Sequence, residues 1–432
     1  MRRGTFLALA LCVNALGGIW ATLDAQRSRS FMGSSEDPAI RYSTAPLNNP
    51  VVDANRKLQE GSIQLTYEGR GGFLKSALDA LEIPIDSQLL VFSRDSLQGK
   101  LINEQSPRAL YFSDRIALGW VRDGEFLEVA AHDESAGVVF YTLEQRSGPT
   151  NRSPQFMRAV RCLGCHTSGD TLGVPGLLMF STTHLDPSQG PGLPRRVDHS
   201  DPFTRRFGGW FVTGSTGSPH LGNDVAALKG RRGVDLATTD GLFDADGYSA
   251  MSSDIVAHMV FTHQAGMTNL LTRASSEARA ANPVLHPPFT SSPEEDARVA
   301  SMMYGVAVEV VDYLLFIDEA KLTARVRGGS GFAERFSKIG PHDRKGRSLH
   351  ELDLSRRLMK YPCSYLIHSP AFDALPPGAK DPIYRRLWEV LSGQERGERY
   401  RSALSLADRR SIIDILRDTK ADLPSYFQNE IR

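Results

Sequence analysis

Two cysteines and a histidine form the motif in this 432-residue sequence with the most specific chemistry, Cys162-Leu163-Gly164-Cys165-His166. Two thiols three positions apart can each add to a vinyl group along one edge of a porphyrin, and the imidazole that follows is then placed beneath the iron as an axial ligand. The chain contains four cysteines and 11 histidines, so about one chain in a thousand of this composition would carry the motif by chance. The motif therefore predicts a covalently bound haem c, with thioether bonds to Cys162 and Cys165 and its iron held by His166.

A CxxC pair also occurs in redox-active dithiols and in structural zinc sites. A dithiol needs a strand before the pair and a helix N-terminus beneath it, whereas residues 154–161 predict a short helix with Phe156 and Val160 on one face. A zinc site needs a second pair of ligands at close spacing, and His258 and His263 are five residues apart. We therefore favour haem and keep the dithiol and the zinc site as alternatives.

The segment after the motif contains groups that can support a haem. In Val-Pro-Gly-Leu-Leu, residues 174–178, a rigid backbone carbonyl can accept the Nδ1 proton of His166, which would fix the ring and raise its basicity. The alternative is an ordinary turn. Residues 206–214 combine aromatic residues with glycines, a composition suited to lining a porphyrin, and His199 and His220 flank this stretch. A loop region of this length is uncommon unless it surrounds a cofactor or is disordered.

The sequence constrains a second axial ligand less strongly. A helix capped by Ser252 or Ser253 is expected to extend to about residue 280. Its apolar stripe includes His263 and Met267, and His258 falls on its polar side. A histidine on such a stripe is usually a core residue, but a haem in the same chain needs a ligand on its other face, so His263 is the preferred distal ligand. The remaining candidates are Met267, His220, His199 and Met179.

The elements that must position this site begin with a β-rich unit. Short apolar runs separated by turn dipeptides such as Asp123-Gly124 predict an antiparallel meander over 60–148, and helical spacing predicts a helix at 72–81. The predicted strands cover 89–92, 109–112, 116–121, 126–130 and 138–143.

Four further segments complete the predicted organisation, which is α+β. Residues 1–25 are expected to be a signal peptide and the polar residues 26–59 a linker. A haem-binding segment is expected over 149–245, and a mainly helical region over 246–432. A chain of this length exceeds a single core and is expected to form two or three units.

Residues 1–25 also predict where the protein works. Arg2 and Arg3 precede an apolar stretch from Thr5 to Ala21, and Ala21 or Ala25 provides a small residue before cleavage. The alternative is an uncleaved N-terminal anchor. In bacteria, haem is attached to CxxCH motifs outside the cytoplasmic membrane, so the signal and the motif both predict an exported, periplasmic protein without a further transmembrane segment.

Charge and the remaining cysteine add two expectations. Fifty basic residues balance fifty acidic ones, so the chain has no net charge that would attract nucleic acid or an anionic membrane. Cys363 lies in an apolar run and is interpreted as a buried small hydrophobe rather than a reactive thiol.

The CxxCH motif and the proline-containing stretch behind it resemble the c-type cytochromes. Class I cytochromes are small helical domains, so the β unit and the long helical region depart from that pattern. Taken whole, the chain resembles large secreted bacterial proteins with one haem motif, and the segments that recur in them correspond here to residues 208–214, 220–223 and 254–264. It is also similar in size and compartment to di-haem cytochrome c peroxidases, but a second CxxCH is absent. The resemblance implies a cytochrome c-like haem segment and this topology, and it supplies no catalytic residues.

Three functions are compatible with these features. The preferred one is electron transfer, in which haem iron changes oxidation state and exchanges electrons with a redox partner protein. The second is a haem peroxidase or oxidase, which needs an open axial position and a polar distal pocket. The third is a haem-bearing sensor or scaffold whose β-rich unit binds a partner.

Overall fold

The structure, a computed structural model, describes residues 34–146, 154–182, 194–225, 228, 233–282 and 292–430. The predicted signal peptide and the first part of the predicted linker lie outside the described residues. Within them, an antiparallel sheet dominates the N-terminal half and helices dominate the C-terminal part, as the predicted α+β class requires. No helix in the described part of the chain combines the length and apolar character that a membrane span needs.

Six strands form one antiparallel sheet in sequential order, which confirms the predicted meander and adds a strand to it. They are β1 (Leu89–Val91), β2 (Arg108–Phe112), β3 (Ile116–Trp120), β4 (Phe126–Asp133), β5 (Gly137–Glu144) and β6 (Met157–Arg158). The predicted turn at Asp123-Gly124 joins β3 to β4, and Asp123 has a φ of +58° there. Two further strands, β7 (Phe180–Thr182) and β8 (Pro194–Arg196), pair with each other.

Alternate side chains of the sheet enter two different cores. On one face, residues such as Leu118 and Tyr141 pack with the helices α1 (Pro50–Gln59) and α2 (Leu74–Ala80). The opposite face packs against the helical region, where the rings of Phe112 in β2 and Phe261 lie 4.6 Å apart. The sheet is therefore covered on both sides over much of its area.

Helix α1 contradicts part of the linker predicted over 26–59. The side chain of Asn49 caps it by accepting hydrogen bonds from the backbone N–H groups of Val51 and Val52. Val51, Ala54 and Leu58 are buried against the sheet. These apolar positions, spaced by three and four, are few and stand among polar residues, which is why the segment resembled a linker.

The remaining helices include the short α3 (Leu163–His166) and a set that builds the C-terminal layer. That set consists of α4 (Ile255–Ala280), α5 (Pro293–Leu314), α6 (Phe332–Phe336), α7 (Pro370–Asp373), α8 (Pro377–Ser392), α9 (Glu398–Ala403) and α10 (Leu406–Thr419). Asp254, rather than Ser252 or Ser253, caps α4, because its side chain accepts from the N–H groups of Val256 and Ala257.

Helix α4 crosses the sheet from the β1 edge towards β5. At its start, Ile255 donates a backbone hydrogen bond to Thr213. Midway, Phe261 contacts Phe112 of β2. Further along, a Cβ added at Gly137, the first residue of β5, would lie 2.3 Å from Thr272 Cγ2. One helix therefore crosses the sheet from β1 to β5.

The glycine-rich stretch 206–214 lies at the β1 edge. The N–H of Phe92 donates to Gly209 O at 2.8 Å, and the N–H of Phe211 donates to Leu90 O at 2.9 Å. The same stretch contacts the segment that follows the motif, because Trp210 Nε1 donates to Phe180 O at 2.7 Å, four residues after Gly176. That 206–214 lines a porphyrin on this motif stays a prediction.

Candidate haem-attachment site

The motif begins where the chain leaves the sheet. A short 3₁₀ turn, Val160–Cys162, follows β6 and leads into α3. The helix predicted over 154–161 is therefore wrong, because Met157 and Arg158 pair with the free edge of β5, and such tertiary pairing overrides local periodicity. Both motif cysteines are free thiols; Cys162 is partly buried and Cys165 is exposed.

His166 is paired with Gly176 through two hydrogen bonds. The N–H of Gly176 donates to His166 O at 3.0 Å, and His166 Nδ1 lies 2.8 Å from Gly176 O. A carbonyl only accepts, so Nδ1 carries the proton and Nε2 has the free lone pair. This confirms the predicted carbonyl within 174–178 and identifies it as that of Gly176.

Burial sets the protonation of the two motif residues that are partly buried. Loss of solvent lowers the pKa of His166, which keeps the imidazole neutral, and a neutral imidazole is the form that binds a metal. Burial, aided by the charge of Glu128, raises the pKa of the Cys162 thiol. The cysteine is thus held as a thiol rather than as a reactive thiolate.

Two asparagines that the sequence analysis did not single out bind the backbone on either side of the motif. Asn55 in α1 accepts from Phe156 N–H at 3.0 Å and donates to Phe156 O at 2.8 Å. Asn269 in α4 accepts from Leu177 N–H and donates to Leu177 O, both at 2.8 Å. The segment between Phe156 and Leu177 is therefore attached to both helical layers.

The face of the sheet that carries Phe112 also carries the side chains beside the motif, over β4 to β6. Phe140 in β5 lies on this face, and its ring centroid is 4.5 Å from that of His166. Thr142 alternates with Phe140 onto the same face and pairs with Met157 of β6. Met157 and Val160 are 62% and 44% exposed. Large apolar side chains are thus open to solvent next to the cysteines.

One ion pair lies close to the motif on this face. Arg108 of β2 forms a salt bridge with Glu128 of β4. It passes over Gly119 of β3, where an added Cβ would lie 2.5 Å from Arg108 Nη2. Glycine at position 119 therefore leaves the space that the guanidinium group occupies.

The preferred distal candidate, His263, lies in a buried cluster. Its Nδ1 is 2.8 Å from His199 Nδ1, and its Nε2 is 2.7 Å from Ser364 Oγ. Its ring stacks on Phe316 of the helical region with centroids 4.2 Å apart. His263 is therefore hydrogen-bonded to His199, which is another candidate ligand. Both ring nitrogens of His263 have hydrogen-bond partners, and neither partner belongs to the motif.

The other distal candidates are also positioned by elements outside the motif. His220 Nδ1 accepts from Gly222 N–H at 3.0 Å, so its Nε2 carries the proton and is not available to a metal in this tautomer. Met267 is two residues before Asn269 on α4, so its side chain lies on the opposite side of the helix from Leu177. Met179 is buried, and its carbonyl accepts from Val197 N–H.

His258 is fully buried, contrary to the polar position predicted for it. Its Nε2 lies 3.1 Å from Phe211 O, and its ring packs at 86° to that of Trp210, both at the β1 edge. Helix α4 is enclosed by the sheet on one side and by helices on the other, so an amphipathic pattern does not identify its exposed side.

The motif residues meet the requirements for covalent haem in three respects. Two free thiols lie one helical turn apart in a segment that also exposes Met157 and Val160, the His166 imidazole is neutral, and the hydrogen bond at Nδ1 leaves Nε2 for the iron. No group of three or more His, Cys, Asp and Glu side chains that could hold a metal ion is found among the described residues. A haem does not need such a group, because the porphyrin supplies four of the iron ligands.

Two cavities of the described structure lie away from the motif. One of about 450 Å³ is bordered by Lys57 of α1 and Phe336 of α6. The other, of about 630 Å³, lies between α4, α5 and α8 and is bordered by Met303 and Arg385. Neither is lined by Cys162, Cys165 or His166.

No protein-family model, curated protein or solved structure matches the chain.

Proposed function

We propose that this chain is an exported, periplasmic c-type haem protein that transfers electrons to or from a redox partner protein. The haem would be bound through Cys162 and Cys165, with His166 as the proximal iron ligand. The observation that carries the proposal is the 2.8 Å contact between His166 Nδ1 and Gly176 O. It is the bond that a metal-binding histidine makes to fix its tautomer and ring orientation.

The chain's own residues have distinct roles in this proposal. The bound haem supplies one-electron chemistry at its iron. Cys162 and Cys165 anchor it, while Gly176 O holds His166 in the tautomer with Nε2 free. Met157 and Val160 provide exposed apolar surface that a porphyrin would cover, which is favourable by about 25 cal/mol for each Å² removed from water.

Electron transfer is favoured over substrate turnover because of the placement of the histidines. A peroxidase-type site needs a positioned acid or base over the iron. His199 and His263 bond to each other in the helical core, and His220 and His258 both lie against Phe207, beside the β1 edge. These four are therefore committed to structures other than the motif.

Expression with a bacterial cytochrome maturation system tests the proposal. The full chain should retain its pigment through acidified-acetone extraction and give the pyridine haemochrome spectrum of a haem with two thioether bonds. The double variant Cys162→Ala/Cys165→Ala should lose covalent haem. Cys363→Ala is the matched control, because Cys363 is a buried free thiol with no part in the motif, and it should retain the pigment.

Two results would overturn the proposal. One is complete extraction of the pigment from the full chain by acidified acetone. The other is covalent haem in the double variant at the level of the full chain, since attachment would then use other groups. Zinc bound at one equivalent by the full chain and lost in the double variant would instead favour the zinc alternative.

A further inference from the structure

One peptide group connects His166 to helix α4. The C=O of Gly176 and the N–H of Leu177 belong to the same planar unit and point in opposite directions. The carbonyl accepts from His166 Nδ1, and the N–H donates to Asn269 Oδ1, each at 2.8 Å. A continuous chain of hydrogen bonds therefore runs from the imidazole through one peptide plane to the Asn269 amide.

Asn269 also binds the next peptide unit along the chain. Its Nδ2 donates to Leu177 O at 2.8 Å, so the side chain binds both backbone groups of Leu177. Asn269 is 2% exposed, and a Cβ added at Gly176 would lie 2.4 Å from its Oδ1. The backbone at Gly176 thus lies directly against the amide, and the plane has little freedom to rotate.

We propose that Asn269 is a positioning residue for His166, which acts through the Gly176–Leu177 peptide to set the orientation and basicity of the proximal imidazole. This inference rests on the proposed haem function. Hydrogen bonds in a chain polarise one another, so the acceptor at Leu177 N–H makes Gly176 O a stronger acceptor for the Nδ1 proton. A stronger bond at Nδ1 makes the imidazole more basic. A more basic ligand stabilises oxidised iron and keeps the reduction potential low.

Asn223 provides a comparison within the same chain. Its Oδ1 accepts from Val212 N–H at 2.8 Å and its Nδ2 donates to Val212 O at 2.9 Å. It is also fully buried, but it makes no bond to the Gly176–Leu177 peptide. Replacing it removes this pair of bonds and a third, from Nδ2 to Val234 O at 2.8 Å, at a position with a φ of +63°. The change therefore perturbs a buried site at least as strongly as a change at Asn269 does, without touching the proximal peptide.

The test compares Asn269→Leu, Asn269→Asp and Asn223→Leu in haem-loaded full chain. Covalent haem is first quantified in denatured protein, and then the reduction potential and the electron paramagnetic resonance g values of the oxidised iron are measured. We expect Asn269→Leu to favour reduced iron about tenfold at a fixed solution potential, which is about 59 mV for a one-electron couple. Asn269→Asp keeps an acceptor for Leu177 N–H, so its potential should be at or below that of the wild type. Asn223→Leu should leave the potential and g values unchanged.

Three outcomes count against the inference. It is overturned if Asn269→Leu carries haem with the potential and g values of the wild type. It is also overturned if Asn223→Leu shifts the potential as much as Asn269→Leu, since general loosening would then explain the effect. If the wild-type chain carries no covalent haem, the proposed function itself is wrong. Quantifying covalent haem in denatured protein distinguishes this case from the other two. Asn269→Ala, which introduces no bulk, replaces Asn269→Leu if the latter does not accumulate, with the same expected result.

Discussion

Asn55 binds both backbone groups of Phe156, accepting from its N–H at 3.0 Å and donating to its O at 2.8 Å. Asn55 lies in α1, and Phe156 is the residue before β6, 101 positions later. Phe156 is itself buried at 2% exposure in the core shared by α1 and the sheet. The N-terminal helix thus supports the strand that precedes the CxxCH motif.

Replacing Asn55 by Leu should destabilise the protein. The change leaves the N–H and C=O of Phe156 without partners, which costs about 2 kcal/mol in the free energy of unfolding. Urea unfolding of the full chain measures it. Asn48→Leu is the control, because Asn48 is exposed and its side chain bonds only to the half-buried Glu134, and its effect should stay within about 0.5 kcal/mol. Equal stability of the two variants would contradict a structural role for α1 at the motif.

The motif and its supporting carbonyl were predictable because their chemistry is local. Cys162, Cys165 and His166 lie within five residues, and Gly176 follows ten residues later, so a carbonyl for Nδ1 could be expected within 174–178, with an ordinary turn as the alternative. The strands of the meander were predictable for the same reason, since alternation and turn dipeptides are local signals. The fold class follows from those signals.

The contacts that hold the motif were not predictable, because they join residues far apart in sequence. Asn55 and Asn269 are ordinary polar residues until the fold brings them to Phe156 and Leu177. Strand β6 is two residues long and forms only because β5 has a free edge. Ser364, which engages His263, is 101 residues away from it, so no pattern on α4 indicates that its nitrogens are occupied.

Glycine at position 176 should be required, whereas glycine at position 164 should not. In Gly176→Ala the new Cβ would lie 2.4 Å from Asn269 Oδ1 and 3.0 Å from Thr171 Cβ, and such crowding costs about 1–3 kcal/mol. In Gly164→Ala the Cβ would have no neighbour within 4 Å, so stability should stay within about 0.5 kcal/mol. Urea unfolding of both variants without haem compares them, and equal loss in both would be inconsistent with the proposed close approach.

Stability should fall on acidification below about pH 6.5. Burial lowers the pKa of His258 to about 4 and that of His199 to about 3. Below pH 6.5 the unfolded chain binds protons at these residues that the folded chain does not, so each reduces stability by about 1.4 kcal/mol per pH unit in that window. Above pH 6.5 their contribution is constant. Urea unfolding between pH 8 and 4.5 measures the slope.

Glu319 should oppose this acid effect. Burial raises the pKa of its carboxyl group to about 7, so between about pH 4.5 and 7 the folded chain holds a proton that the unfolded chain lacks, and acidification stabilises the fold through this group. Glu319→Gln should therefore lose stability more steeply than the wild type as the pH falls from 7 to 4.5. A slope identical to that of the wild type would show that the Glu319 carboxyl is ionised in the fold.

His263→Ala should reduce stability and leave the haem spectrum unchanged. The variant removes a fully buried ring, takes the partner from His199 Nδ1 and leaves Ser364 Oγ with only the N–H of Leu366, which together costs about 2–4 kcal/mol. Neither ring nitrogen is directed at the motif, so the Soret band and the reduction potential should match those of the wild type. A shifted Soret band in folded variant would instead identify His263 as the distal ligand.

Peroxide turnover by the haem-loaded chain should not exceed that of a free haem model. Efficient reaction with hydrogen peroxide needs a side chain that accepts a proton from the bound peroxide and returns it to the leaving oxygen. His220 is the candidate to test, because it has a free N–H in this tautomer, but it is buried and its ring packs against Phe207. Steady-state assays with hydrogen peroxide and a small electron donor should give equal rates for the wild type and His220→Ala. Turnover well above that of free haem, lost in His220→Ala while covalent haem is retained, would replace the electron carrier by a peroxidase.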